Sequence, residues 1–256
     1  MKEAFTYMFK DNKFWAKGLS YLFLIFTANL LLNYAQTILP PCPGCAVSIP
    51  WQYWIFFIFG SVINFAGIGY FFSCVKALIE QKENPVLPFV NILKDLYKGF
   101  KYSVALLLLI VPAALLMGVF ILIFAKITSG SMIGLILSKT AFWVIFLFVG
   151  VLLIAFNWLF ANKESFINFF RFKKVFELIG ADKKKYIIHL LMILLVCFIN
   201  IILETIFNVS SGLLKLGTIN GLILSGILSA ITGTYAALII CKLTANSIAP
   251  EMKENI

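Results

Sequence analysis

The sequence predicts an all-α, polytopic transmembrane helix bundle of six spans, built as three parallel repeats of an interfacial amphipathic helix plus a transmembrane hairpin. Three observations predict this fold class: the composition, the long apolar stretches and the placement of the basic residues. Apolar types make up 62% of the 256 residues and charged types only 12%, about half of the ~25% typical of soluble domains. A soluble protein needs a polar surface, so we expect residues 1–256 to form a single membrane domain.

Six stretches are long and apolar enough to cross a bilayer, since about 20 apolar residues span the hydrocarbon core as a helix. The backbone must satisfy its own hydrogen bonds in lipid, which requires helices here because the period-two pattern of a barrel is absent. We expect the first span to be retained, since its apolar run exceeds the core of a cleaved signal peptide. The predicted spans are Trp15–Gln36, Trp51–Ala77, Ser103–Ala125, Ala141–Ala161, Tyr186–Phe207 and Thr218–Thr244.

The basic residues predict the orientation of these spans. Placing the N-terminus inside puts eighteen of the 21 Lys and Arg residues on the same side, and the positive-inside rule makes that side cytoplasmic for both termini. The eighteen are Lys2, Lys10, Lys13, Lys17, Lys76, Lys82, Lys94, Lys98, Lys101, Lys163, Arg171, Lys173, Lys174, Lys183, Lys184, Lys185, Lys242 and Lys253.

Three similar segments predict an internal repeat, with copies at about 1–85, 86–165 and 166–250. Phe5–Phe9, Phe89–Leu93 and Phe172–Phe176 begin 84 and 83 residues apart, and each precedes basic residues and an apolar hairpin. Amphipathic helices with Phe on one face and Lys on the other lie flat at the head-group level. The alternative is that they only link spans. In the second copy the apolar face is Phe89, Leu93, Leu96, Tyr97 and Phe100, largely opposite Asn91, Lys94, Asp95, Lys98 and Lys101.

The net charge of +10 predicts membrane lipids as partners rather than nucleic acid, because the basic residues lie between apolar spans. We therefore expect a non-enzymatic integral membrane protein of unknown role that engages anionic lipids or partner proteins through its basic cytoplasmic face. A second copy of the chain or another membrane protein is a further candidate partner. The candidate lipid-facing residues are Lys94, Lys98, Lys101, Arg171, Lys173 and Lys174.

Polar residues inside predicted spans form a second candidate site, since such residues are costly in lipid. Two interpretations remain open: a polar pocket of a small transporter or permease subunit, and hydrogen bonds that only hold helices together. Small residues of span six from Gly221 to Gly233 predict close helix packing. The predicted polar cluster is Asn29, Asn33, Asn200, Glu204 and Asn220, in the outer half of the membrane.

Cys42 and Cys45 lie in the predicted first outer loop and form a candidate disulfide that tightens it. A redox-active dithiol is the alternative, although it would need a strand–turn–helix context. The sequence has a single His and lacks a catalytic triad, a paired-Asp arrangement and a metal-binding motif. We therefore expect no catalytic activity, no cofactor and no bound metal.

Two stretches are similar to a known family. They are Gly69-Tyr-Phe-Phe-Ser-Cys-Val-Lys76 with the following Asn84-to-Lys101 segment, and Phe169-Phe-Arg-Phe-Lys-Lys-Val-Phe-Glu-Leu-Ile179. Together they resemble a prokaryotic integral-membrane family catalogued as domain of unknown function four thousand and thirteen, over nearly the whole chain. The resemblance implies a prokaryotic cell membrane. That family has no established activity, so it implies no catalytic residue.

Overall fold

The computed structural model describes residues 13–38, 49–80, 87–127, 132–213 and 218–248, and these residues form helices without strands. Six of the helices are long and two are short. In chain order they are α1 (Phe14–Ile38), α2 (Trp51–Ile79), α3 (Ile92–Ile127), α4 (Met132–Lys163), α5 (Phe166–Phe169), α6 (Phe172–Ala181), α7 (Lys183–Leu213) and α8 (Thr218–Asn246).

Five helices in the described part of the chain are long and apolar enough to cross a membrane. A shorter apolar segment, Phe148–Lys163, lies in α4. The membrane character predicted from the composition agrees with these helices, whose large apolar side chains are widely exposed on the outside of the bundle. The five candidate spans are Trp15–Ile38, Trp51–Ile79, Ile92–Phe120, Lys183–Phe207 and Ile223–Asn246.

One end of the bundle gathers most of the described lysines, and we call it the basic end. Here α1, α3 and α7 begin and α2, α4 and α8 end. The ammonium of Lys17 lies 5.0 Å from the centre of the Phe89 ring, and Lys185 Nζ donates to the carbonyl oxygen of Ile248 at 3.5 Å. These contacts tie the N-terminal end of α1 to the segment before α3, and the N-terminal end of α7 to the segment after α8.

The best-packed part of the core lies towards this basic end. Trp158, Phe156 and Phe160 of α4 are almost fully buried, as are Tyr70 of α2 and Tyr186 of α7. The Tyr186 hydroxyl donates to the carbonyl oxygen of Val151, which satisfies the polar end of a buried ring. The aromatic residues in the described part of the chain therefore include both a packed core and an exposed apolar exterior.

Helices α2 and α3 pack very closely against each other, and two glycines permit this approach. A methyl group built on Gly69 would overlap the backbone carbonyl of Asp95, and one built on Gly99 would overlap that of Phe65. Only glycine lets two helix backbones approach this closely. The crossing places the charged residues of early α3 directly beside the last turns of α2.

The third predicted amphipathic segment forms a helix of its own, α6. Its Val175 and Leu178 are buried in the protein, whereas Phe172 and Phe176 remain 43% and 52% exposed. The Phe172 ring meets Phe156 of α4 edge-on, with centroids 5.4 Å apart. Thus α6 has one apolar arc against α4 and a neighbouring apolar arc that faces out of the bundle.

The second amphipathic segment differs from the predicted repeat unit, because α3 is helical without a break from Ile92 to Ile127. The apolar side chains of Leu93, Tyr97 and Phe100 point outward, while Asp95 and Lys98 are buried. The α2–α3 crossing imposes this arrangement, since the face that carries Gly99 must turn towards α2. The first predicted segment, Phe5–Phe9, lies outside the described residues.

Candidate functional site

Glu164 is the centre of an ion-pair network at the basic end. It follows the last residue of α4 and has a positive φ of 49°, an uncommon conformation for a residue with a side chain. Its Oε1 lies 2.8 Å from Lys98 Nζ and 2.9 Å from Lys76 Nζ. Lys101 Nζ donates to the backbone oxygen of Glu164 at 3.2 Å. Three lysines from α2 and α3 therefore converge on one residue after α4.

A second acidic residue, Asp95, completes this Glu164 network, which comprises Ser73, Lys76, Asp95, Lys98, Lys101 and Glu164. Lys98 Nζ donates to Ser73 Oγ at 3.0 Å, and Ser73 Oγ donates to Asp95 Oδ1 at 2.7 Å. The other carboxylate oxygen of Asp95 accepts the backbone N–H of Asn91 at 2.8 Å. Every buried charge here has a charged or hydrogen-bonded partner, as low-dielectric surroundings demand.

Asn91 explains why α3 begins where it does. Its side-chain oxygen accepts the backbone N–H of Lys94 at 3.2 Å, which is the geometry of a helix N-cap. The Asp95 carboxylate also accepts the backbone N–H of Asn91. The same carboxylate therefore belongs both to the start of α3 and to the Glu164 network. The start of α3 and the placement of its charges are thus coupled.

The three lysines predicted to face lipid on α3 have different positions. Lys94 is exposed and Lys101 is half-buried, but Lys98 is only 6% exposed and is committed to Glu164 and Ser73. The prediction for Lys98 therefore requires correction, because the α2–α3 crossing turns its side chain into the protein. Sequence reasoning missed Asp95 and Glu164 as partners. The sequence feature that could have indicated them is an acidic residue beside the lysines at a helix end: Asp95 near the start of α3 and Glu164 just after α4.

The pH dependence of stability tests the Glu164 network. Partial burial alone would raise the pKa of Glu164, but its hydrogen bonds to Lys98 and Lys76, and their charges, hold this pKa below the ordinary value of 4.5. A lowered native pKa stabilises the fold above the unfolded-state value, and this stabilisation is lost as pH falls through the native value. We expect thermal stability in detergent to fall below about pH 4.5.

Glu164→Gln is the matched variant for this measurement. Glutamine cannot ionise, so we expect a smaller loss of thermal stability between neutral pH and pH values below 4.5. Glu177→Gln removes an exposed carboxylate of α6 instead and serves as the control. Identical pH profiles for the wild type and Glu164→Gln would contradict the assignment.

The basic residues around α6 form the exposed part of the basic end. Arg171 and Lys173 are exposed and Lys174 is half-buried. Lys183 and Lys184, at the start of α7, are exposed as well. Nearby, Asp182 uses its Oδ1 to accept the backbone N–H of Lys185 at 2.9 Å. We call these five basic residues the α6–α7 basic surface.

The predicted polar cluster lies at the opposite half of the bundle and is largely brought together. Asn29 and Asn33 of α1 and Glu204 of α7 line one cavity of about 260 Å³. We call it the polar cavity; its other lining residues are Phe207, Ser225 and Ser229. The two serines come from the span-six stripe predicted for helix packing. The spacing of the two serines is compatible with helix packing and with lining a cavity. Only the position of α8 relative to α1 and α7 shows that they face the cavity.

Hydrogen bonds connect the polar cavity to Asn200, one turn along α7. Asn200 Nδ2 donates to Glu204 Oε1 at 3.0 Å, and Ser229 Oγ donates to the same oxygen at 3.1 Å. Asn220 is exposed and is not among the residues that line the cavity. Four of the five predicted polar residues are therefore in or directly bonded to this site. Cys42 and Cys45 lie outside the described residues.

Comparison with known proteins identifies a family. A family model described as a protein of unknown function, DUF4013, matches residues 55–209. No curated protein and no solved structure matches the chain. The matched region contains the whole Glu164 network, together with Asn200 and Glu204 of the polar cluster, whereas Asn29, Asn33 and the two serines lie outside it. Since the match covers more than half of the chain, the protein belongs to the DUF4013 family.

Proposed function

We propose that this protein is a non-enzymatic integral protein of a cell membrane that crosses the bilayer six times and binds anionic lipids at its basic end. Both termini then lie on the cytoplasmic side, where the basic end meets the head groups. The orientation of α6 is the observation that carries the proposal.

The side chains of α6 are sorted as a helix at the membrane surface requires. Val175 and Leu178 pack into the protein, and Phe172 and Phe176 form an exposed apolar arc beside them. Lys173 is exposed and lies on the side of α6 away from the buried Val175 and Leu178. A helix held this way can insert its phenylalanines among acyl chains while its basic residues stay with the head groups. The packing of Val175 and Leu178 fixes the rotation of α6 relative to the rest of the protein.

The charge of the α6–α7 basic surface supports the same conclusion. Its cations come from two adjoining helix starts, and the nearby carboxylate of Asp182 is occupied by a helix cap. Glu177 is the exposed acid of α6. A Lys or Arg near an anionic leaflet contributes about 1 kcal/mol. Several of them on one surface favour anionic over zwitterionic head groups.

The triple variant Arg171→Gln, Lys173→Gln and Lys174→Gln tests this proposal. We expect it to bind phosphatidylglycerol at least about fivefold more weakly than the wild type, because even one lost head-group contact is worth about 1 kcal/mol. The measurement is native mass spectrometry of lipid adducts, with the detergent-solubilised protein in an equal mixture of phosphatidylglycerol and phosphatidylcholine.

Lys126→Gln is the control for the lipid experiment, because Lys126 is an exposed lysine at the far end of α3. It is expected to leave the preference for phosphatidylglycerol unchanged. If the triple variant and the wild type bind phosphatidylglycerol equally, the α6–α7 basic surface is not a lipid site.

A small transporter or permease subunit is the second candidate function, and the polar cavity favours it. Transport would need a path from the cavity to the basic end. Along that path the same three helices bury Tyr21, Ile193 and Leu238, each less than 10% exposed. These buried side chains lie between the polar cavity and the basic end, so lipid binding is the function that the geometry supports better.

A further inference from the structure

The polar cavity concentrates side-chain oxygen atoms between three helices that are otherwise apolar. Asn29 and Asn33 lie one turn apart on α1 and face Glu204 of α7, while Ser225 and Ser229 approach from α8. Polar and ionisable side chains inside a span are costly and mark functional sites. Three separate helices contribute side chains to the polar cavity. A hydrogen bond that only joined two helices would need side chains from those two helices alone.

The Glu204 carboxylate has capacity for a ligand. Both of its hydrogen bonds, from Asn200 and Ser229, go to Oε1. Within the described residues no donor contacts Oε2, and no lysine or arginine forms an ion pair with Glu204. A carboxylate that lacks a countercharge within an apolar bundle attracts a cation, because the cation balances its negative charge.

Unused amide groups are the second, independent observation. The side-chain oxygen of Asn200 is buried without a hydrogen-bond partner. Among the described residues, the side chains of Asn29 and Asn33 also make no hydrogen bond to protein. Buried polar groups are normally satisfied by protein, water or a ligand. The amides of Asn29 and Asn33, which line the polar cavity, therefore leave room for a ligand there.

We propose that the polar cavity binds a small monovalent metal cation, Na⁺ or K⁺, through Glu204 Oε2 and the side-chain oxygens of Asn29 and Asn33. Hard cations prefer carboxylate, amide and hydroxyl oxygens, and these are the donors on the cavity wall. The single carboxylate balances one positive charge. Ser229 Oγ donates its proton to Glu204 and keeps its lone pairs for the cation or for its water.

The size of the cavity determines how the cation is held. Its volume of about 260 Å³ exceeds a bare ion and corresponds to several water molecules at about 30 Å³ each. The ion therefore keeps part of its hydration shell, and water bridges it to the more distant amides. This inference requires binding only, and it holds whether or not the basic end binds lipid.

Thermal unfolding of the full chain in an uncharged detergent tests the cation site. NaCl or KCl replaces choline chloride stepwise at constant ionic strength, so that only the identity of the cation changes. At ten times the dissociation constant we expect the unfolding midpoint to rise by about 3–6 °C, since a ligand that binds only the folded state stabilises it. Binding of ²²Na⁺ to the purified protein is measured in parallel.

Two variants and one control decide the outcome. Glu204→Gln is expected to abolish the midpoint shift and the ²²Na⁺ binding, and Asn33→Ala to require several-fold more cation for the same shift. Glu177→Gln, an exposed carboxylate on α6, should behave as the wild type does. If Glu204→Gln lowers the midpoint equally at every cation concentration, or if Na⁺, K⁺ and choline give equal midpoints, the cavity is a structural hydrogen-bond cluster and the proposal is wrong.

Discussion

Gly69→Ala and Gly99→Ala are each expected to disrupt the fold more than any other single methyl addition in the described part of the chain. In both cases the new Cβ would overlap backbone of the opposite helix: the Asp95 carbonyl for Gly69, the Phe65 carbonyl for Gly99. Backbone cannot rotate away as a side chain can, so α2 and α3 would have to separate. Overpacking costs about 1–3 kcal/mol and sometimes more, and we expect the upper end.

The separation of α2 and α3 would also break the Glu164 network, because Ser73 and Lys76 come from α2 whereas Asp95, Lys98 and Lys101 come from α3. Thermal unfolding in detergent and the yield of monodisperse protein measure the loss. Gly118→Ala, on the same helix as Gly99 but with no heavy atom within 4 Å of the added methyl, is the matched control. Equal stability of Gly99→Ala and Gly118→Ala would show that the helices do not cross this closely.

Lys98→Met is expected to cause a loss of stability comparable with that of the two glycine variants. Methionine keeps the length of the apolar stem but removes the ammonium that bridges Glu164 and Ser73. Asp95, only 2% exposed, would then retain its bonds from Ser73 and the Asn91 backbone but lose the nearby positive charge. Removing one partner of a buried ion pair costs roughly 3–5 kcal/mol. We expect the lower end because the Glu164 side chain is 24% exposed.

Lys94→Met is the control for the buried lysine. It lies one turn earlier on α3 and is exposed, so the same change of chemistry should alter the unfolding midpoint little. The double variant Glu164→Gln with Lys98→Met removes both members of the ion pair, so its loss of stability should be smaller than the sum of the two single losses. A wild-type midpoint for Lys98→Met would mean that Lys98 is solvated rather than buried in the network.

The segments that resemble the family have a structural meaning in this protein. Gly69 and Ser73 of the first stretch meet Asp95 and Lys98 of the Asn84-to-Lys101 segment across the α2–α3 crossing. Lys76 of the same stretch shares Glu164 Oε1 with Lys98. Glycine permits the approach, and the polar residues satisfy one another within it. These two segments therefore form the tightly packed, charged contact between α2 and α3 at the basic end.

The amino-acid sequence by itself determined the membrane character of the protein, the approximate ends of the apolar helices α1, α2, α7 and α8, and the polar residues that lie within the helices; α3 and α4 begin well before the predicted spans Ser103–Ala125 and Ala141–Ala161. Hydrophobicity and helix length carry that information directly, because each apolar stretch must match the bilayer on its own. Asn29, Asn33, Asn200 and Glu204 could be predicted as a cluster for the same reason: polar residues at membrane depth are few.

Only the tertiary structure decided which way each helix face points. Periodicity shows that early α3 has an apolar face and a charged face. In water the apolar face would be buried in the protein, but in a membrane protein either face can be the buried one. Close approach at Gly69 and Gly99 turned Lys98 inward, and the packing of α8 against α1 and α7 brought Ser225 and Ser229 to the polar cavity. Such choices depend on contacts between helices distant in sequence, which no local pattern encodes.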